Sequence, residues 1–154
     1  MKTLEDLIAI EQIRLVKARY LRAIDLKDMD LLRSVVADDV EVDGRGATTD
    51  PRTGMNLTPG VTGEVICGAD KLIAAVGAGL PHMTTIHHVT SGEITVDDED
   101  HASGIWPMFD RLIFSQGPVS VMSGYGHYFE TYERINGVWK IKSLKLTRIS
   151  VESE

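Results

Sequence analysis

The sequence predicts a single α+β domain in which helices come first and an antiparallel sheet follows. Apolar residues recur at helical spacing over the first part of the chain, and the spacing changes to alternation from about residue 84. Asn136-Gly137 separates two alternating segments, which favours a tight hairpin because both central turn residues need positive φ. Helices followed by consecutive hairpins are typical of an α+β domain rather than of a parallel sheet.

The composition predicts a soluble, cytoplasmic protein that acts on a small partner. A chain of 154 residues has the length of one domain, so we expect residues 1–154 to form a single unit. Sixteen Lys and Arg against 23 Asp and Glu give a net charge of −7 without a basic cluster, which argues against a nucleic-acid partner. The N-terminus carries acids where a signal peptide needs an apolar stretch, and no 18 apolar residues run together, which argues against a membrane partner.

The first helix is predicted from Thr3, followed three residues later by Asp6 as in a capping box, to about Asp25. At 100° per residue Asp25 lies within roughly 40° of Leu21, so its carboxylate emerges on the apolar side of the helix. An acid on that side is either partnered or functional. Tyr20 lies about 140° from Asp25 and can border the same cavity.

The segment between the first helix and the sheet is predicted to contain two short helices and a long loop. Asp28 can cap a helix reaching Val36, residues 40–42 read as a strand, and Asp70 lies near the start of a helix over residues 71–76. Residues 44–63 are dense in turn formers, and we expect them to form a lid or a segment ordered by a partner chain.

Strands are predicted over residues 84–97, 102–115, 119–135 and 138–150. In the last strand the apolar residues change parity, and a β-bulge near Ser143 would bring them to one face: Trp139, Ile141, Leu144 and Leu146. Trp106-Pro107 places a residue without an N–H inside a strand, which predicts a bulge or an edge there.

His87 and His88 are adjacent in a predicted strand, so their imidazoles point to opposite faces and only one can enter a cavity. A neutral imidazole held by a carboxylate at one nitrogen keeps the other free to accept a proton, which is a general-base arrangement. Asp25 and Asp110 can supply that carboxylate. Our interpretation is that His87 is the base; the alternative is that both histidines are ordinary hydrogen-bonded sheet residues.

Asp110 shares strand parity with Trp106 and Met108, the bulky face of its strand. A carboxylate there needs a donor, and a salt bridge near Arg111 or to Arg148 is the alternative to a catalytic role. We predict apolar walls for the substrate from Trp106, Met108 and Phe129.

Other chemistries have weaker support in the sequence. Adjacent strand histidines cannot chelate one ion, and the remaining histidines follow no ligand spacing, so we predict no metal site. No Gly-rich loop links a strand to a helix as a nucleotide site requires, and we predict no cofactor.

The order of several segments is familiar: residues 17–28, then Thr85-Ile86-His87-His88-Val89, then residues 104–111, 126–132 and 138–141. It resembles the SnoaL-like branch of the nuclear-transport-factor-2-like (NTF2-like) superfamily, nearest to the subgroup of bile-acid 7α-dehydratase and scytalone dehydratase. The resemblance implies a cone-shaped, strongly curved mixed sheet wrapped around the first helix, the NTF2-like α+β barrel. It also implies a homodimer or homotrimer packed through the sheet.

Two intervals between residues extend the resemblance to the candidate site. In those dehydratases a Tyr and an Asp lie five residues apart on the first helix, and a strand His precedes a second Asp by twenty-three residues. Tyr20 and Asp25 match the first spacing, and His87 and Asp110 match the second. The longer loop at 44–63 departs from the pattern.

The resemblance implies a cofactor-independent lyase or isomerase of the dehydratase type, acting on a small hydrophobic carbonyl or hydroxyl compound. His87 would remove a proton and Asp25 would orient it. Tyr20 would hydrogen-bond an enolate or a leaving hydroxyl, and Asp110 would position the substrate or return the proton. The alternatives are an aldol-type polyketide cyclase or epoxide hydrolase in the same fold, or a non-catalytic ligand-binding or dimerisation module.

Overall fold

The chain begins with a long helix, α1, which spans Leu4–Leu26 in a computed structural model that describes residues 3–58 and 64–154. The predicted capping box is present: the Asp6 N–H donates to Thr3 Oγ1 over 3.1 Å, and the Thr3 N–H donates to Asp6 Oδ2 over 2.7 Å. The residue that follows the helix, Lys27, caps its C-terminus with a left-handed φ of 60°. Asp25 therefore lies in the last turn, where the chain leaves the helix.

Two shorter helices and two strands follow. Helix α2 spans Met29–Val35, and its cap Asp28 accepts from the Leu31 N–H over 2.9 Å. The chain then passes directly into β1, Val36–Asp43, which is longer than the predicted strand because Val36 leaves the helix as an extended residue. Strand β2, Val65–Cys67, was not predicted, and helix α3 runs over Ala69–Gly79 without stopping at Gly77.

The sheet is mixed and unclosed, and it follows the helices as predicted. A 3₁₀ turn at Leu80–His82 leads into five strands: β3 Met83–Val89, β4 Glu93–Val96, β5 His101–Phe114, β6 Val121–Ile135 and β7 Val138–Ser153. The strand order is β2-β1-β7-β6-β5-β3, with β4 also on β5, and β1 is parallel to β7 while the other pairs are antiparallel. Helix α1 packs on the concave inner face, so the predicted α+β cone is confirmed.

The predicted strand 84–97 is in fact two strands, β3 and β4, with a break between them. The register pairs Val89 with Met108 and Glu93 with Ile105, so the break lies opposite Pro107. Proline has no N–H to donate to a ladder, which is the physical reason for the edge predicted at Trp106-Pro107.

A β-bulge in β7 decides which side chains face the helix. Thr131 pairs with Ser143 and Tyr132 pairs with Ile141, so Lys142 is the extra residue and the predicted bulge near Ser143 is confirmed. Trp139, Ile141 and Leu144 are all buried on the inner face as a result. The same shift in parity turns Arg148 inward.

The main core lies between α1 and the inner face of the sheet, and a second small cluster lies beneath the segment 44–58. Leu57 packs there against Met122 and Val151. Residues 59–63 of the predicted lid lie outside the described residues. Within residues 3–58 and 64–154, no helix is both long and apolar enough to cross a membrane.

Candidate active site

Asp25 and His87, which we call the dyad, meet where the last turn of α1 packs against β3. His87 Nδ1 lies 2.6 Å from Asp25 Oδ1, and the His87 backbone N–H donates to Asp25 Oδ2 over 2.9 Å. The Thr85 hydroxyl donates to Oδ1 over 2.9 Å. Asp25 thus accepts from two residues of one strand, which holds the imidazole in a single orientation.

The hydrogen bonds of the dyad keep Asp25 ionised. Burial, the largest single influence, raises the pKa of Asp25, but the bonds from the His87 ring and backbone, the charge of His87 and the Thr85 hydroxyl together leave this pKa below its ordinary value. An ionised Asp25 accepts a hydrogen bond from the Nδ1–H of a neutral imidazole. The lone pair of that imidazole is then at Nε2.

Nε2 of His87 faces a second carboxylate, Asp110, which is engaged by a guanidinium. Asp110 Oδ2 lies 4.0 Å from Nε2. Arg148 donates to Asp110 Oδ1 over 2.9 Å and to Oδ2 over 2.8 Å, in a buried bidentate pair that we call the inner ion pair. The alternative that predicted a salt bridge from Asp110 to Arg148 is confirmed.

Arg148 also ties the inner ion pair to its surroundings. Its Nε donates to the Ala47 carbonyl over 2.7 Å, and its Nη1 lies 3.3 Å from Met108 Sδ. A Cβ at Gly124 would collide with Arg148 Nη1 and with Asp110 Oδ1, so glycine at this position makes the room for the pair. The segment 44–58 is therefore joined to the site through the Ala47 carbonyl.

A second buried ion pair lies deeper between α1 and β6. Lys17 is fully buried, and its Nζ lies 2.5 Å from Glu130 Oε1; we call these two residues the lysine pair. The other oxygen of Glu130 accepts from the Tyr132 hydroxyl, which in turn accepts from Trp106 Nε1 over 2.8 Å. Burial lowers the pKa of Lys17, and the charge and hydrogen bond of Glu130 oppose that shift.

Tyr20 lies beside the lysine pair, on the inner side of α1. Its side chain is buried, and Lys17 Nζ lies 5.0 Å from the centroid of its ring. Burial, followed by the charge of Glu130, raises the pKa of Tyr20 far above its ordinary value. The hydroxyl of Tyr20 is therefore protonated at neutral pH and can donate a hydrogen bond.

The predicted apolar walls divide between the two faces of the sheet. Trp106 and Met108 are buried on the inner face of β5, on the same side as Asp110. Phe129 is 42% exposed on the outer face, with its ring beside His127, so the prediction that Phe129 lines the site is wrong. The even-numbered residues of β6 face inward, which makes Tyr128 the inner aromatic residue instead.

The two adjacent histidines do point to opposite faces, as predicted. His87 is half-buried against α1, whereas His88 is exposed and its ring centroid lies 6.3 Å from that of Phe109. His82, His101 and His127 do not contact the dyad. Among the described residues, no group of three or more His, Cys, Asp or Glu is placed to hold a metal ion.

A shallow groove of about 480 Å³ between α1 and β3 reaches the dyad from outside. Its lining is mostly apolar, with Leu21 and Leu26 from the helix and Val89 from the strand, and Arg22 supplies one cation. Asp25 and His87 both border this groove. A small molecule can therefore approach the dyad at the open edge of the sheet.

Sequence reasoning missed two residues of this arrangement, Lys17 and Thr85, and named Arg148 only as a possible salt-bridge partner of Asp110. Lys17 lies four residues from both Ile13 and Leu21, so helical spacing alone places it on the buried face. The inward orientation of Arg148 follows from the predicted bulge, because the bulge turns the even positions after Ser143 inward. Thr85 shares strand parity with His87 and could have been found in the same way.

Comparisons with known proteins agree with this architecture. The profile of a family described as SnoaL-like domain matches residues 5–145. A type 2 hexachlorocyclohexane dehydrochlorinase is similar in structure, with 21% identity, a TM-score of 0.78, and coverage of 98% of this chain and 92% of the other.

Two further structures show the same fold in proteins with other names. A scytalone dehydratase-like protein from Novosphingobium aromaticivorans DSM 12444 has 18% identity and a TM-score of 0.78 over 97% of this chain and 90% of its own. A ketosteroid isomerase-like protein from Erwinia carotovora atroseptica SCRI1043 has 14% identity and a TM-score of 0.68 over 92% and 96%. At these identities the likeness concerns the fold.

Proposed function

Because the chain belongs to the SnoaL-like domain family, in which the fold hosts several chemistries, we propose a reaction from the site: a cofactor-independent lyase or isomerase of the dehydratase type. The substrate is a small hydrophobic carbonyl or hydroxyl compound with an acidic C–H. The observation that carries the proposal is the 2.6 Å contact between His87 Nδ1 and Asp25 Oδ1, which leaves Nε2 as the proton acceptor.

In this mechanism the dyad performs the proton abstraction. His87 Nε2 takes the proton, and the ionised Asp25 stabilises the imidazolium that forms and keeps it from rotating. Tyr20 donates a hydrogen bond to the oxygen that gains negative charge. Trp106 and Met108 supply apolar contacts on the inner side.

Asp110 has a narrower role here than the sequence suggested. Both of its oxygens accept from Arg148, so neither oxygen is free to exchange a proton with the substrate. We assign Asp110 to holding Arg148 beside His87 Nε2. Arg148 then offers positive charge near the reacting atoms.

The same contacts favour a histidine-centred reaction over the alternatives. An aldol-type cyclase or an epoxide hydrolase with Asp as the main acid or base would need a carboxylate free to exchange protons, and Asp110 is engaged by Arg148. A pure binding module would bind small carbonyl compounds without changing them. Product analysis separates these outcomes.

The test follows proton abstraction directly. Wild-type protein is incubated in D₂O with a panel of cyclic ketones and β-substituted carbonyl compounds, and deuterium uptake and elimination are followed by NMR. We expect His87→Gln to lower the rate by about 10²- to 10⁴-fold because the general base is lost.

His101→Gln is the matched control, since it removes an exposed imidazole at the start of β5 that does not contact the dyad. We expect it to keep the wild-type rate. A folded His87→Gln protein with undiminished exchange would contradict the mechanism, and binding of panel compounds without exchange in the wild type would favour the binding module.

We also propose that copies of the chain associate through the outer face of the sheet. Exposed apolar side chains share this face: Ile113, Tyr125, Phe129 and Ile149. Phe109 lies among them, with its ring centroid 5.1 Å from that of Tyr125. Exposed aromatic and aliphatic side chains on one face of a sheet are typical of a protein interface.

A further inference from the structure

Tyr128 is a buried tyrosine whose hydroxyl the mechanism above does not use. The sequence has four tyrosines, and two of them have an evident reason for their place: Tyr132 bonds to Glu130 and Trp106, and Tyr125 is on the outer face. Tyr20 and Tyr128 are 8% and 5% exposed, and neither hydroxyl forms a hydrogen bond with a described residue. Buried tyrosine hydroxyls normally find a partner.

These two hydroxyls are not sealed from solvent, although their side chains are buried. Within the described part of the chain, Trp139 Nε1 is the sealed polar side-chain atom that lacks a partner. The hydroxyls of Tyr20 and Tyr128 have no partner either, yet they are not sealed. Both oxygens therefore keep some access to solvent and are open to a hydrogen-bond acceptor.

Tyr128 lies among the charged groups of the site. Its strand faces inward at even positions, and two residues away along the same face is Glu130 of the lysine pair. Lys17 Nζ lies 3.5 Å from the centroid of the Tyr128 ring, which fixes one face of the ring against a cation. The ring cannot turn away without breaking that contact.

The hydroxyl of Tyr128 is a donor at neutral pH. Burial, then the nearby charges of Tyr20 and Asp110, raise the pKa of Tyr128 well above its ordinary value, and Arg148 only partly opposes them. Lys17 Nζ lies 5.0 Å from the centroid of the Tyr20 ring and 3.5 Å from that of the Tyr128 ring, so the two tyrosines lie close together. The protonated hydroxyl of Tyr128 can therefore donate a hydrogen bond to a ligand oxygen.

We propose that Tyr128 is a further catalytic residue, which together with Tyr20 donates a hydrogen bond to the substrate oxygen that becomes negative when His87 removes the proton. The inference rests on the proposed function and names its substrate class as a carbonyl compound. The C–H electron pair becomes the new carbon–carbon double bond, the carbonyl π pair moves to oxygen, and the proton stays on His87 Nε2. Two preorganised donors lower the energy of that enolate.

The lysine pair has a positioning role in this arrangement. Lys17 does not touch the substrate; it holds the Tyr128 ring from behind while Glu130 holds Lys17.

The experiment measures binding of two small probes with the same ring: in one of them a phenolic oxygen carries a negative charge, and in the other that oxygen is methylated and neutral. 4-Nitrophenolate presents an anionic oxygen like that of an enolate, and 4-nitroanisole has the same ring without the charge. Dissociation constants at pH 8.5 are measured by calorimetry for the wild type, Tyr128→Phe, and the matched control Tyr125→Phe on the outer face of the same strand.

We expect the wild type to prefer the phenolate and Tyr128→Phe to weaken phenolate binding by about 10-fold or more, as for the loss of a hydrogen bond to a charged group. Binding of the anisole should change by less than about twofold, and Tyr125→Phe should change neither. A wild type without preference, or an equal loss for both probes, would overturn the proposal, since a structural role affects both alike.

Two additions keep the test decisive. If Tyr128→Phe fails to fold, the ¹³Cζ resonance of Tyr128 in the labelled wild type should shift with phenolate and not with anisole; no selective shift would overturn the proposal. His87→Gln should keep the phenolate preference. The phenolate preference therefore tests the hydroxyl donor, whereas proton exchange tests the proposed base, and either can fail without the other.

Discussion

At the scale of single residues, Asp25 connects the stability of the fold to the chemistry of the site. Its carboxylate accepts from the His87 ring, the His87 backbone and the Thr85 hydroxyl, and these bonds exist only when α1 and β3 are packed together. Protonation of Asp25 weakens all three. The same carboxylate that would steady the imidazolium therefore holds the end of the helix on the sheet.

The lowered pKa of Asp25 predicts an acid-sensitive contribution to stability. The folded-state pKa lies below the unfolded one, so the unfolded chain binds more protons and the contribution is present above about pH 4. It is lost as the pH falls through the folded pKa. Urea unfolding between pH 2.5 and 7 should show a shallower decline for Asp25→Asn than for the wild type.

The exposed Asp30→Asn serves as the control for that experiment and should keep the wild-type dependence on pH. Identical slopes for Asp25→Asn and the wild type would show that the dyad does not stabilise the fold.

At the scale of elements, the packing of α1 on the sheet depends on a polar contact within an apolar core. Lys17 is the only described side chain of α1 that reaches Glu130, and both are sealed from water. A buried charge left without its partner carries an uncompensated desolvation penalty. The lysine pair thus favours the one position of α1 on the sheet in which Lys17 meets Glu130.

We expect Lys17→Met to lower the free energy of unfolding by about 3–5 kcal/mol, because the buried carboxylate of Glu130 is left without its cation. Adding Glu130→Gln should recover part of that loss, since the amide carries no charge. Lys142→Met is the control: Lys142 pairs with Asp39 near solvent, and its loss should have a much smaller effect. Urea unfolding measures all three, and equal losses for Lys17→Met and Lys142→Met would contradict the interpretation.

At the scale of the whole molecule, the two faces of the sheet have different tasks. The inner face carries the site, and the outer face carries exposed aromatic residues that have no role in it. The proposed association of copies through the outer face predicts that Phe129→Lys yields a monomer, because a charge within an apolar interface is costly to desolvate.

Light scattering during size-exclusion chromatography gives the molar mass of the wild type and of the variants in solution. Val138→Lys at the β6–β7 turn, also an exposed apolar residue, should leave it unchanged. A wild type that is monomeric, or a Phe129→Lys variant with the wild-type mass, would contradict association through this face.

Much of this protein could be predicted from its sequence, because the relevant patterns are local. The capping box, the Asn-Gly hairpin, the bulge near Ser143 and the opposite orientation of His87 and His88 all follow from rules that span a few residues. The contact between Asp25 and His87 was also anticipated, since one acid on an apolar helix side and one imidazole on a strand each needed a partner.

Only the tertiary structure decided how those elements share one interior. Strand parity alternates, but parity alone does not say which face is inside, so Phe129 was assigned to the site and Tyr128 was not. Arg148 and Lys17 became site residues only once β7 and α1 were brought against Asp110 and Glu130 from distant parts of the chain. Their positions depend on pairing across the sheet and on the burial of charge, which are properties of the packed molecule and not of any short segment.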